Sequence, residues 1–224
     1  MRALLLLICP VALFFFAGFH LVFSVYLLKE AVKYKDKTVL YTGLITLGLF
    51  YDALMLALGS ILKPGSRFEK LSKARFVSHG ALIPLLFPIC AEALKLEKKY
   101  KAVVWLGTGI LMILGAAEGL ASDMELKEVA DVYRYTAGEK TPKWAKGVSS
   151  LLSFGTVLPL MGVGAYKWAK SKNPFLFLAG FIMFAFSAIG PATGNADLIF
   201  FISMFGEVGM VSFLKVFADK ARKN

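Results

Sequence analysis

The stretch Thr38–Leu62, TVLYTGLITLGLFYDALMLALGSIL, runs for 25 residues with a single charged side chain, Asp52. A helix needs about 20 mostly apolar residues to cross a hydrocarbon layer of about 30 Å. A membrane-spanning strand would instead alternate apolar and polar positions over about 10 residues. This segment is apolar on all sides, so it reads as a transmembrane helix. The same segment carries a carboxylate near its middle.

Working outward, six more segments have the same character: 3–28, 76–94, 102–121, 148–166, 175–192 and 197–214. The whole chain agrees, with 224 residues, 58% hydrophobic and 18% charged. A water-soluble domain, a disordered chain, a collagen-like repeat and a disulfide scaffold are all excluded by that composition and by the presence of only two cysteines. The first segment begins like a secretory signal but stays apolar through His20 to Leu28 without a small-x-small cleavage site, so it reads as a retained helix. The expected fold is therefore all-α: a polytopic membrane bundle of seven transmembrane helices, forming one integral-membrane domain over residues 1–224.

Positive loops tend to stay cytoplasmic. The loops on the side of 29–37, 95–101, 167–172 and the tail from Lys215 hold 15 Lys and Arg, against 11 on the other side. The reading is an outside N-terminus, a cytoplasmic C-terminus and a plasma or inner membrane. In the long loop 122–147, Ser122-Asp123-Met124-Glu125 has a capping-box pattern, followed by Leu126, Val129, Ala130 and Tyr133 at helical spacing. That predicts an interfacial amphipathic helix between spans four and five, ending near Gly138. Segment 64–75 opens with Pro64-Gly65 and places Phe68 and Leu71 among its basic residues, as a stretch resting on anionic headgroups would. The net charge of +11 is then a property of two membrane surfaces. Nucleic acid is not an expected partner, because the charges form no single stripe. Membrane lipids and a small-molecule or ion substrate are, and an oligomer is compatible.

A charge in hydrocarbon costs on the order of 3 kcal/mol or more, so each one needs a partner or a purpose. Asp52 in span two, beside Tyr51, and Glu207 in span seven both fall at mid-membrane depth, where a short carboxylate cannot reach water on its own. His79 in span three and Glu118 in span four are placed nearer the outer surface, and Arg75 precedes His79 by one helical turn. These groups are the candidate ligand-binding set, Asp52, Glu207, Glu118, Arg75, His79 and Tyr51, and all but Tyr51 are expected to line one cavity that opens outward. His20 and Glu92 are placed outside it, with Glu92 expected to pair with Lys95 at i, i+3. Gly115 and Gly119 form a G-x-x-x-G face on span four, where a neighbouring helix can approach closely.

Other chemistries find no motif. Two histidines without H-E-x-x-H, two isolated cysteines and the lack of a Walker loop or G-x-S-x-G elbow predict no metal site and no cofactor. The leading functional expectation is a small transporter or channel for a cation, a proton-coupled solute or a small metabolite. The alternative is an intramembrane enzyme acting on a lipid or isoprenoid, with Asp52, Glu207 and His79 as general acid and base.

Overall fold

The computed structural model describes residues 2–129, 131–192 and 199–223. The described residues form eight α-helices and one hairpin: α1 Arg2–Tyr34, α2 Lys37–Leu58, α3 Ser66–Leu82, α4 Leu86–Ala93, α5 Lys98–Ala121, β1 Met124–Val129, β2 Val132–Ala137, α6 Lys143–Ser171, α7 Phe175–Ala192 and α8 Ile199–Lys223. Among the described residues, six helical stretches are long and apolar enough to cross a membrane. They are α1, α2, α3 with α4, α5, α6 and α8. The remaining expected span corresponds to α7, an apolar helix of 18 residues. The short turn expected at 193–196 lies outside the described residues.

Local chemistry explains most boundaries. Lys35 takes a left-handed φ of 51° and ends α1, and the Asp36 carboxylate then caps α2 by accepting from the Val39 amide at 3.1 Å. Between α3 and α4, Pro84 sits in a single 3-10 turn, Ile83–Leu85, so the two helices form one span, Ser66–Ala93, with a local irregularity. The basic segment 66–75 is consequently the first part of α3, not a surface loop before it.

Sequence neighbours are spatial neighbours: α1 packs on α2, α6 on α7 and α7 on α8, while α3 crosses α5. At that crossing Gly80 and Gly115 meet backbone to backbone. A methyl group on either would fall on the other's carbonyl, and one on Gly119 would fall 2.5 Å from the Val77 amide nitrogen. The G-x-x-x-G face on span four thus finds its partner in α3.

The interfacial helix expected in loop 122–147 is absent. That stretch is a β-hairpin in which Met124 pairs with Ala137 and Val129 with Val132. The alternation Val132, Arg134 and Thr136 against Tyr133 and Tyr135, rich in β-branched and aromatic residues, outweighs the weaker helical spacing. Asp131 adopts a left-handed φ of 57° at the turn, as a tight hairpin requires. Ala130, part of the helical reading, lies outside the described residues. Ser122 caps no new helix; its hydroxyl donates back to the Glu118 carbonyl at 3.0 Å and closes α5.

The hairpin does not float on the surface. Val132 is fully buried in a cluster with Cys9, Leu13 and Phe16 of α1, Ala53 and Leu56 of α2, and Phe200 and Met204 of α8. The Tyr133 amide donates to the Gly59 carbonyl at 2.9 Å, and the Arg134 guanidinium stacks on Phe200. A second, larger apolar cluster fills the other half of the bundle, from Ile45 and Leu49 through Leu86, Ile89 and Leu160 to Met210 and Leu214.

Candidate functional site

The polar groups sit where the two apolar clusters meet. On α2, Asp52 falls between Leu49 of one cluster and Ala53 of the other; on α8, Glu207 falls between Met204 and Met210. Asp52 stands six residues before the end of α2 at Leu58, about 9 Å along the axis at 1.5 Å per residue.

Arg75 of α3 reaches across to Asp52, with Nε 3.3 Å from Oδ1, and both side chains are largely buried. The Nε–H makes no hydrogen bond of good geometry, so the contact is an ion pair. A second nitrogen, Nη2, donates to the Tyr135 carbonyl of β2 at 3.2 Å, and the guanidinium lies over the Phe76 ring. The hairpin therefore supplies a backbone acceptor to a membrane-embedded arginine. One helical turn beyond Arg75, His79 feels the charges of both Asp52 and Arg75, as does Glu207 from α8. Glu207 is buried, and its Oε2 makes no hydrogen bond.

No family model matches the chain, and no curated protein matches it. Its chemistry has to be read from the residues.

Of the six residues singled out from sequence, Asp52 and Arg75 are in direct contact, and His79 and Glu207 lie within electrostatic reach of that pair. Tyr51 lies at the edge, its hydroxyl donating to the Leu71 carbonyl of α3 at 3.0 Å, which ties α2 to α3. Glu118 bonds locally. Its carboxylate accepts from the Ser122 hydroxyl at 3.2 Å within its own helix end. The depth expected for His79 changes as well, because α3 begins at Ser66 and carries Arg75 and His79 further along the helix than a span starting at 76 would.

His20 was expected to be elsewhere, yet Asp52's charge reaches it. It is fully buried on α1, on the face that carries Leu13, Ala17, Ser24 and Leu27, and neither ring nitrogen has a hydrogen-bond partner. Packing places it there: α1 and α2 run antiparallel, Gly43 of α2 faces Leu27 and Leu28 of α1, and eight residues from that contact along each helix stand Tyr51 and His20. Glu92 also departs from expectation. Lys95 takes a left-handed φ of 54° just past the end of α4 and leaves the helical face, and Glu92 pairs with Lys101 of α5.

The hairpin lies against this cluster through the Tyr135 carbonyl on Arg75. A surface pocket of about 480 Å³ exists, but Leu62, Lys63, Gly65, Ser66, Arg67, Phe68 and Leu71 line it, and no member of the cluster does. Chemically, the Asp52–Arg75 pair stands within electrostatic reach of a second carboxylate, Glu207, and of the His79 imidazole, and Asp52 also of His20. Among the described residues, no group of His, Cys, Asp and Glu has the geometry to hold a metal ion.

Proposed function

We propose that this multi-pass membrane protein is a small proton- or cation-coupled transporter whose exchanging group is Glu207. One observation carries the reading: Glu207 is buried with an unbonded carboxylate oxygen beside an ion pair, Asp52–Arg75, that already balances its own charge. A further negative charge in hydrocarbon costs on the order of 3 kcal/mol or more, so the group needs a proton or a cation at that depth. A shift of Arg75 between Asp52 and Glu207 would change which carboxylate needs one. The hairpin over the cluster and the 3-10 turn at Pro84 are the elements available to move. The excess of Lys and Arg at the other end of the bundle supports a cytoplasmic C-terminus, with the hairpin facing outward.

The test needs no known substrate. Infrared difference spectra of the reconstituted protein, taken across a pH titration, should show a carboxylic C=O band that disappears in Glu207→Gln. Liposomes under an imposed potential should show proton or cation flux that the same variant loses while remaining folded. A titration unchanged by Glu207→Gln would sink the proposal.

A second reading, an enzyme acting on a membrane lipid, is favoured by the gathering of Asp52, His79, Glu207 and Arg75 in one place, since acid, base and an anion-holding cation are what such chemistry uses. It predicts a changed lipid after incubation of the protein with a total lipid extract, and no product from Asp52→Asn/Glu207→Gln.

A further inference from the structure

We infer that the pocket at the turn between α2 and α3 binds the headgroup of an anionic phospholipid. This inference stands on different residues from the transport reading and does not depend on it. The pocket is about 480 Å³, within the range of about 300–1,000 Å³ that holds small organic ligands. Its lining joins two chemistries: the cations Lys63 and Arg67 with the Ser66 hydroxyl, and the apolar side chains Leu62, Phe68 and Leu71.

The charge is not neutralised from within. Lys63, Arg67, Lys70 and Lys73 make no ion pair among the described residues, and Glu69 is the one acid in residues 63–75. Arg75 alone in that stretch is paired, and it points to Asp52. The location favours a lipid over a free anion. The pocket lies where one membrane-crossing helix ends at Leu58 and the next begins at Ser66, which is headgroup level. Ile61 and Leu71 remain exposed, at 66% and 45%, beside the cations. A free phosphate would leave that apolar wall uncovered, whereas a phosphodiester with its glycerol and upper acyl carbons covers both.

The pocket wall is also continuous with the buried cluster. Phe68 packs edge-on against Tyr135, with ring centroids 5.8 Å apart, and the Tyr135 carbonyl holds Arg75. An occupied pocket would therefore steady the first turns of α3 and the hairpin together.

The test is native mass spectrometry of the full chain titrated with phosphatidylglycerol and, separately, phosphatidylcholine. Phosphatidylglycerol should bind about tenfold more tightly, and Lys63→Gln/Arg67→Gln should abolish that preference. Each single substitution should lose part of it, which keeps the test readable if the double variant is poorly produced. Lys140→Gln/Lys143→Gln removes two exposed charges at the same end of the bundle and should leave the preference intact. Equal binding of the two lipids, equal loss in the control variant, or displacement of phosphatidylglycerol by millimolar inorganic phosphate would each overturn the inference, the last by showing a free-anion site.

Discussion

Arg75 Nε stands 3.3 Å from Asp52 Oδ1 while Nη2 of the same guanidinium donates to the carbonyl of Tyr135, so one side chain joins α2, α3 and the hairpin. The planar fork of arginine can serve two acceptors in different directions, which a lysine ammonium on a flexible stem does less well. The pair is therefore both a charge balance and a fastening.

Removing one partner of a buried pair leaves the other charge uncompensated, at about 3–5 kcal/mol. Arg75→Gln should lower the melting temperature in detergent markedly, and Arg75→Lys less. Asp52→Asn/Arg75→Gln should be more stable than Arg75→Gln alone, because no orphan charge remains. Equal melting of wild type and Arg75→Gln would mean that the pair contributes nothing.

The Gly80–Gly115 contact leaves no room for a side chain. Gly80→Ala should cost on the order of 1–3 kcal/mol by forcing α3 and α5 apart. Gly109→Ala on the same α5 meets nothing within 4 Å and should be neutral or stabilising by up to about 1 kcal/mol. Thermal unfolding of the two variants side by side checks the contrast.

Docking of the hairpin depends on Gly59, whose carbonyl accepts from Tyr133 and whose Cβ position is taken by the Tyr133 carbonyl. Gly59→Val should release the strand, and limited trypsin digestion then reports it. Arg134 is buried in the docked state, so cleavage after Arg134 should rise several-fold in the variant. Unchanged cleavage would show that the hairpin stays docked without this contact.

At the opposite end, Lys215 lies within 4 Å of Glu30 and Asp219, while Arg222 spans Glu30, Asp36 and Asp219. The Lys215 side chain is 8% exposed and that of Arg222 30%. Arg222→Gln should cost no more than about 1 kcal/mol, with an effect that fades at high salt. Lys215→Ala should cost more and depend less on salt, because it leaves Glu30 facing a less hydrated contact. Chemical unfolding at two ionic strengths distinguishes them.

The helical bundle was legible along the chain because every spanning helix satisfies its backbone hydrogen bonds within itself and must show the lipid apolar side chains. The same reasoning exposed Asp52 and Glu207, since a carboxylate among 20 apolar residues stands out whatever its neighbours are. Gly115 and Gly119 announced a close helix contact for an equally local reason. The hairpin was misread because Leu126, Val129 and Tyr133 fit a helical period while Val132 to Thr136 fit an alternating one. The choice was made by the burial of Val132 and Tyr135 against other elements.

Tertiary structure alone decided the partners. Nothing in residues 63–75 says that Arg75 turns inward while Lys63 and Arg67 face the surface; the crossing of α3 with α5 and the docked hairpin make that difference. Glu92 exchanged an expected neighbour in sequence, Lys95, for Lys101 once the end of α4 turned the chain away. His20 joined the cluster because antiparallel packing on α2 set it at the level of Asp52. A span is specified by its own side chains and the solvent it meets, whereas an ion pair depends on two spans arriving at one depth with the right faces turned together.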